Sequence, residues 1–274
     1  MKKLLTLTCL VAVYLALSSH DMFLKMNTYF VQPNSEVIIH LYNGTFDQSE
    51  NVITRDRMLN VSIVSPDGSI ANPPKSAWSE EGKITVLKTK TTGEGTYVAG
   101  VSTAVKSIEL SAEDFNGYLV HDGIMDVLEQ RKKTGEDKNP AVEKYSKHVK
   151  AIFQAGNATT DSYKKELGYP VEFIPMQNPY SLKVNDQLEV RLLRSGKPAA
   201  NQLVYASYGG FHSHSDTGGH LVAVKTRTDK NGIAKIPLSK PGHWYVSSIY
   251  MEKSSDEGID YESNWSTLTF ELKD

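Results

Sequence analysis

The densest concentration of chemistry in this sequence lies between Phe211 and His220, where His212, His214, Asp216 and His220 fall in one short stretch bounded by glycines and rich in serine. Three of the chain's eight histidines are here. Imidazole suits zinc, copper, nickel and iron, and a carboxylate can complete such a set, so the pattern points to a metal without naming it. On an extended backbone His212 and His214 point to one face, because side chains alternate with a period of two. A turn at Gly218-Gly219 would then bring His220 back toward them. Imidazoles with pKa ~6.5 are largely neutral at neutral pH and ready to bind a cation. The competing reading is a polar loop between Tyr208 and Leu221.

His20 is the second candidate, and its chemistry depends on where the chain is cut. Met1-Lys2-Lys3 is followed by an almost wholly apolar run, Leu4 to Leu17, and then by small residues at Ser18 and Ser19. Charge, a short apolar run and a small-residue exit form the layout of a cleaved signal peptide; the run falls short of the ~20 residues a membrane helix needs. Cleavage after Ser19 would leave His20 first, with its α-amine and imidazole able to chelate one metal. Cleavage after Ser18 would leave it second, and amine, amide and imidazole would form a square-planar set that favours nickel(II) or copper(II). Asp21 would orient the ring. The competing reading is a frayed terminus. The single cysteine, Cys9, lies inside the apolar run, so the expected mature chain has no disulfide and no thiolate ligand.

The remaining histidines read as structural. His40 sits in an apolar strand, His121 beside Asp122 reads as a helix-start or surface residue, His148 as the surface of a helix, and His243 as support for a turn that approaches the His212 stretch. No nucleophile elbow, phosphate loop, dinucleotide fingerprint or His-Glu-x-x-His motif is present, so no enzyme is expected. A copper histidine-brace oxidase built on His20 is a remote alternative. Trp78, Trp244 and Trp265 could line a sugar-binding face, which makes an extracellular carbohydrate-binding or adhesive module the main non-metal alternative; Trp244 and Trp265 read better as packing.

The elements that must position these residues are mostly strands. The 274 residues are 39% hydrophobic and 23% charged, with a formal net charge of -2, which allows a core and excludes a basic nucleic-acid surface. Short runs at 36–42, 59–64, 84–87 and 95–99 alternate between turn residues, as do runs at 187–193, 202–206, 233–238, 244–246 and 267–272. Between them, Ile124, Val127, Leu128 and Arg131, with Arg131 at the exposed edge, and then Val142, Tyr145, Val149, Ile152 and Phe153, recur at helical spacing. Asn139-Pro140 fits a helix start and Gly156 a stop. The expected architecture is mostly β: a signal peptide over 1–19, an Ig-like N-terminal β-sandwich over 20–110, a helical connector over 111–169 and a C-terminal β-sandwich over 170–274.

Ordered segments across the expected mature chain resemble the DUF4198 family, related to NikM-like periplasmic components of nickel and cobalt uptake. They are His20-Asp21, Ala112–Leu119, Glu143–Lys150, Val171–Tyr180, Gly196–Ala200, Thr228–Gly232, Gly242–Val246 and Tyr261–Phe270. The resemblance implies an exported, periplasmic or cell-surface bacterial protein that captures nickel or cobalt, with copper or zinc as further options, for uptake or delivery to a membrane transporter. It also gives the N-terminal His20 weight as a ligand beside His212, His214, Asp216 and His220. One departure is Tyr250 before Met251, where relatives carry His-Met.

Overall fold

The computed structural model describes residues 21–211 and 222–274. In chain order the strands are β1 (Asp21–Lys25), β2 (Phe30–Val31), β3 (Glu36–Gly44), β4 (Met58–Val64), β5 (Ile70–Ala71), β6 (Trp78–Glu81), β7 (Ile84–Lys90), β8 (Gly95–Thr103) and β9 (Lys106–Leu110). Helices α1 (Ala112–His121) and α2 (Met125–Thr134) follow. The remaining strands are β10 (Ala141–Ala155), β11 (Val171–Pro175), β12 (Gln187–Arg194), β13 (Lys197–Pro198), β14 (Leu203–Tyr208), β15 (Val224–Arg227), β16 (Ile233–Pro237), β17 (Gly242–Lys253) and β18 (Tyr261–Leu272). The fold is mostly β, as the alternating runs imply.

A ten-stranded sheet forms the backbone of the molecule, in the order β15-β14-β17-β18-β10-β8-β4-β5, with β2 and β9 also paired to β10. A sheet of order β1-β3-β7-β6 packs on it, and the intervening core contains Met22, Leu24, Ile39, Leu41 and Leu87 facing Val61, Tyr97, Val149, Ala151 and Phe153. A third sheet, β11-β12-β13 with β16 on β12, contributes Phe173, Val190, Leu192 and Ile236 to a second core with Ile152, Val246, Leu268 and Phe270. Ile152 lies between Ala151 and Phe153 in β10, so the two cores lie on opposite faces of that strand.

Strand β10 corrects the expectation of a helix over 142–153. It pairs parallel with β18, Glu143 opposite Tyr261 through Ala151 opposite Thr269, and antiparallel with β8 and β9. Because both faces are covered, β10 carries no apolar-polar alternation to read. Its polar residues are buried and partnered instead. His148, 1% exposed, contacts Ser102 Oγ through Nδ1 at 2.8 Å and Asn264 Oδ1 through Nε2 at 3.0 Å, and is not a surface residue. The Lys150 ammonium is paired with the Glu172 carboxylate, which also accepts from the backbone N–H groups of Leu167 (3.0 Å) and Gly168 (2.9 Å). Gln154 Oε1 accepts from Thr96 Oγ1 at 2.9 Å.

The two helices stand where expected up to residue 134. Ser111 caps α1 by accepting from Asp114 N at 3.1 Å, and Gly135, at φ 75°, closes α2. Arg131 is not at an exposed edge: it is 2% exposed, its guanidinium 4.8 Å from the Phe115 ring centroid, donating to the carbonyls of Glu136 (2.9 Å) and Asn139 (2.8 Å). These two bonds, a third from Nε to Asn116 Oδ1 at 3.2 Å, and the faces of Phe115 and Tyr261 make burial of this charge tolerable.

The buried Lys150–Glu172 pair generates a stability prediction. Glu172→Ala strands a buried ammonium and should destabilise the fold by about 3–5 kcal/mol, whereas Glu189→Ala, which removes an exposed pair with Lys235, should cost about 1 kcal/mol or less. Urea denaturation midpoints of the two variants check the contrast; similar small losses in both would contradict it.

Candidate functional site

Asp21 opens β1 opposite Gly44 of β3. Alternation sends Met22 and Leu24 into the core, while Phe23, on the other face with Asp21, meets Phe46 and Tyr245, each at 5.2 Å between centroids. On the same face of the large sheet, β10 presents Glu143 and Lys147, one strand away from Ser263 and Trp265 of β18. Helix α1 covers this region: Tyr118 stacks on Trp265 at 6.1 Å with planes 6° apart. The helix ends at His121-Asp122, and the chain turns at Gly123, which has a φ of 70°. A side chain at Gly123 would collide with the Tyr205 hydroxyl, so the chain can turn here only through a glycine.

The polar groups that meet here are closely tied. His121 Nδ1 lies 2.7 Å from Asp122 Oδ1, with the imidazole 47% and the carboxylate 9% exposed. Asp122 N donates to Tyr118 O at 3.0 Å, and Asp122 O accepts from the Tyr205 hydroxyl at 3.1 Å, so the residue is held by its backbone on both sides. Its second carboxylate oxygen, Oδ2, is buried without a hydrogen-bond partner among the described residues. A small cavity of about 60 Å³ adjoins Asp122, lined also by Leu203, Tyr205, Ile249 and Met251. Lys147 donates to Asn43 Oδ1 at 3.2 Å and lies 5.2 Å from the Trp265 ring centroid. Glu143 accepts from Ser263 Oγ and from the Tyr118 hydroxyl, the latter at 3.3 Å.

Burial and like charge set the protonation of this cluster. Burial, reinforced by the Asp122 carboxylate, pushes Asp21 up to about 7, against the opposing pull of Lys147 and His121. Burial likewise lifts Glu143 to about 7, the Ser263 and Tyr118 hydroxyls pulling the other way. Lys147 is lowered to about 8, again chiefly by burial. His121 is raised, first by its hydrogen bond to Asp122. Three carboxyl groups and the Arg57 guanidinium thus act on the Lys147 ammonium where water is scarce, and a further cation would hold the raised carboxyls in their charged form.

His20, His212, His214, Asp216 and His220 lie outside the described residues, as does the expected signal segment. The residues next to them are described. Asp21, bonded to His20, belongs to the cluster. Ahead of the histidine-rich stretch, Gly210 N donates to Asp47 Oδ2 at 3.2 Å, and Phe211 packs edge-on against Tyr208 at 5.4 Å; beyond it, Ala223 N donates to Ser207 Oγ at 3.4 Å. Asp47 follows Phe46, which packs on Phe23, so the hydrogen bond from Gly210 ties the chain just ahead of that stretch to the segment that packs on β1. Among the described residues no three His, Cys, Asp or Glu side chains come together as a metal site. His243 lies 3.7 Å from Glu271 and against Tyr29, and burial lowers its pKa as it lowers that of His40. His121 is a surface residue, as one of its two sequence readings has it, with its ring 47% exposed, and it ends α1 rather than starting a helix. The sequence holds two His-Asp dipeptides, His20-Asp21 and His121-Asp122, and the structure brings their aspartates near enough for Asp122 to raise Asp21.

Sheets packed face to face, with two helices over a polar cluster at one end, make a mostly β fold, which by itself fixes no function. The family is shown directly: the model for the domain of unknown function DUF4198 matches residues 17–252, and the chain belongs to that family. No curated protein matches the sequence. Among solved structures, the D0-D1 domain of intimin is similar at 15% identity and a TM-score of 0.22, over 92% of this chain and 98% of that one. A trypsin-activated alpha-2-macroglobulin from Escherichia coli is similar at 10% identity and a TM-score of 0.23, over 92% of this chain but 15% of that one. The Escherichia coli adhesin FdeC follows at 14% identity and a TM-score of 0.22, over 93% and 64% of the two chains.

The raised Glu143 carboxyl generates a pH prediction. From the ordinary carboxylate range up to about 7, the folded chain holds a proton that the unfolded chain has released. Stability therefore falls as pH rises through that window, by up to about 1.4 kcal/mol per pH unit for this one group. Glu143→Gln keeps an acceptor for Ser263 and removes the titration. Denaturation midpoints from about pH 5 to 8 should give a flatter profile for the variant, and a more stable variant above the folded-state value; parallel profiles would contradict the assignment.

Proposed function

We propose that this chain is an exported protein that binds a divalent transition metal as cargo, nickel or cobalt by its family resemblance, for uptake or delivery to a membrane transporter. The observation that carries the proposal is the buried Asp122 oxygen with no partner among the described residues, set beside Asp21, the neighbour in sequence of His20. A buried carboxylate oxygen left without a donor is costly, and a cation supplied with nitrogen ligands removes that cost. His20, with the amine that cleavage would expose, supplies such ligands; His212, His214, Asp216 and His220 are the further donors, on a stretch preceded by Gly210, which donates to Asp47 beside the aromatic residues that pack on β1. No helix among the described residues is long and apolar enough to cross a membrane, so delivery would go to a separate transporter. The carbohydrate-binding alternative draws less support, since Trp244 is 0% and Trp265 7% exposed.

Calorimetric titration of the naturally cleaved protein with nickel, cobalt, copper and zinc tests the reading. At least one of the four should bind stoichiometrically, more weakly as pH falls, since protons compete for amine and imidazole. Protein carrying extra residues ahead of position 20 should bind more weakly, because its amine has become an amide. His212→Ala with His214→Ala should lower affinity while changing stability by less than ~1 kcal/mol. Absence of binding for all four metals would overturn the proposal.

A further inference from the structure

We infer that the open cleft between residues 156–163 and residues 176–181 is a binding site for a neutral mono- or disaccharide. The inference goes beyond the metal function proposed above and does not depend on it. The cleft begins at Met176, directly after β11. Its buried wall residue Asn178 is bonded to Thr96, which donates to Gln154 near the end of β10. Residues 143 and 154 of that strand are roughly 36 Å apart at the rise of an extended chain. The cleft therefore lies far from the polar cluster that contains Glu143.

The cleft has a volume of about 510 Å³, inside the ~300–1,000 Å³ range of small-molecule sites. Its wall is mainly polar. Thr160, Gln177, Asn178 and Ser181 bring hydroxyl and amide groups, and Asp161 brings a carboxylate. Tyr163 and Met176 supply the apolar part. No lysine, arginine or histidine among the described residues lines it, and Lys164 is already paired with Asp161 at 2.9 Å. Hydroxyls and amides donate as well as accept, and a carboxylate accepts at both oxygens. That inventory matches the adjacent hydroxyls of a sugar ring, whose C–H face would lie on Tyr163 and Met176. A phosphate or carboxylate ligand would meet Asp161 with no cation in the wall to offset it. An apolar ligand would bury hydroxyls and amides without partners, at a cost. Trp78, Trp244 and Trp265, the residues the sequence offers for a sugar face, take no part.

The two rims are fixed in advance by a buried polar network. Asn178 Nδ2 donates to Thr96 Oγ1 at 2.7 Å and to Thr160 O at 3.3 Å, which ties one rim to the other. Its Oδ1 accepts from Tyr180 N at 3.0 Å. Thr96 N donates to Thr160 Oγ1 at 3.0 Å, and the Ser162 hydroxyl donates to Thr96 O. Gln154 Nε2 donates to Ala158 O at 2.6 Å. Gln177 Oε1 accepts from Glu189 N at 3.0 Å, so its NH2 end is the one left to donate to a ligand. Walls held this way spare a ligand the entropy of ordering them.

The experiment uses the naturally cleaved full chain in EDTA, so that no metal contributes. Saturation-transfer NMR and calorimetry are run with glucose, mannose, N-acetylglucosamine, maltose, cellobiose and chitobiose. At least one of these should bind with a Kd of about 1 mM or tighter. For that sugar, Asp161→Ala should weaken binding about 10-fold or more, and Ser181→Trp, which fills the cleft, should abolish it. Lys235→Ala, at an exposed ion pair with Glu189, should bind as the parent does. Glucose 6-phosphate should bind more weakly than the best neutral sugar. Positions 161 and 181 are both exposed, and thermal melts check folding; Asp161→Asn replaces either variant that fails to fold, with a loss of about 10-fold expected. Binding of every sugar weaker than about 1 mM overturns the inference. So does a preference for glucose 6-phosphate, or unchanged affinity in the folded cleft variants. The metal titrations of the parent are read separately, so failure here leaves the metal proposal standing, and failure there leaves this one.

Discussion

Strand β10 runs between two cores, and its parallel pairing with β18 holds the molecule together. Every backbone group of a strand in this position must find a neighbour, and every side chain must find a place on one face or the other. The odd positions Val149, Ala151 and Phe153 fill one core and Ile152 the other. Where polar residues occupy β10 they are buried with dedicated partners, Ser102 and Asn264 for His148, Glu172 for Lys150, Thr96 for Gln154. The polar cluster beside Asp21 is the end of this same strand: Glu143 and Lys147 continue the face that carries Val149, toward the region that α1 covers instead of β1.

That dependence also explains what could and could not be read from the residues. The runs at 36–42, 187–193 and 233–238 alternate because one of their faces is more open to solvent, and strands β3, β12 and β16 stand on them; β4 stands on the run at 59–64, although residues 61–64 are buried on both faces. β10 has no solvent face, so its hydrophobic residues carried no period of two, and Val142, Tyr145, Val149, Ile152 and Phe153 matched a helix by spacing alone. Arg131 and His148 were assigned to the surface by residue type. Their burial depends on partners distant in sequence, Phe115 and Tyr261 for the first, Ser102 and Asn264 for the second. For the site, the presence of His20 and its link to Asp21 are visible in the sequence, but the electrostatic influence of Asp122 on Asp21 is a product of tertiary structure, and a lone His-Asp dipeptide at a helix end gives no hint of it.

The cluster differs from the rest of the buried polar network in being unbalanced. Lys150 with Glu172, and His148 with its hydroxyl and amide neighbours, are closed sets in which each group answers another. Around Lys147 stand Asp21, Asp122 and Glu143, with Arg57 as a second cation, and burial, more than repulsion, raises the Asp21 and Glu143 carboxyls. A fold that needed only stability would gain by replacing one of these acids with an apolar residue of similar size. Retaining all three is the feature on which the proposed binding of a cation rests.

The pairing of β10 with β18 carries a consequence for how such a chain comes to be folded. Ser146 and Asn264 meet across a separation of 118 positions, and loops of that length close late and slowly compared with hairpins. Until residues 261–272 arrive, β10 presents a long bare edge, and both cores lack a wall. A bare edge of this kind templates pairing with other chains. The nascent protein is therefore at its most vulnerable through most of its synthesis, held unfinished by the same strand that later makes it one body, and a chain in that state is also one that can still be threaded.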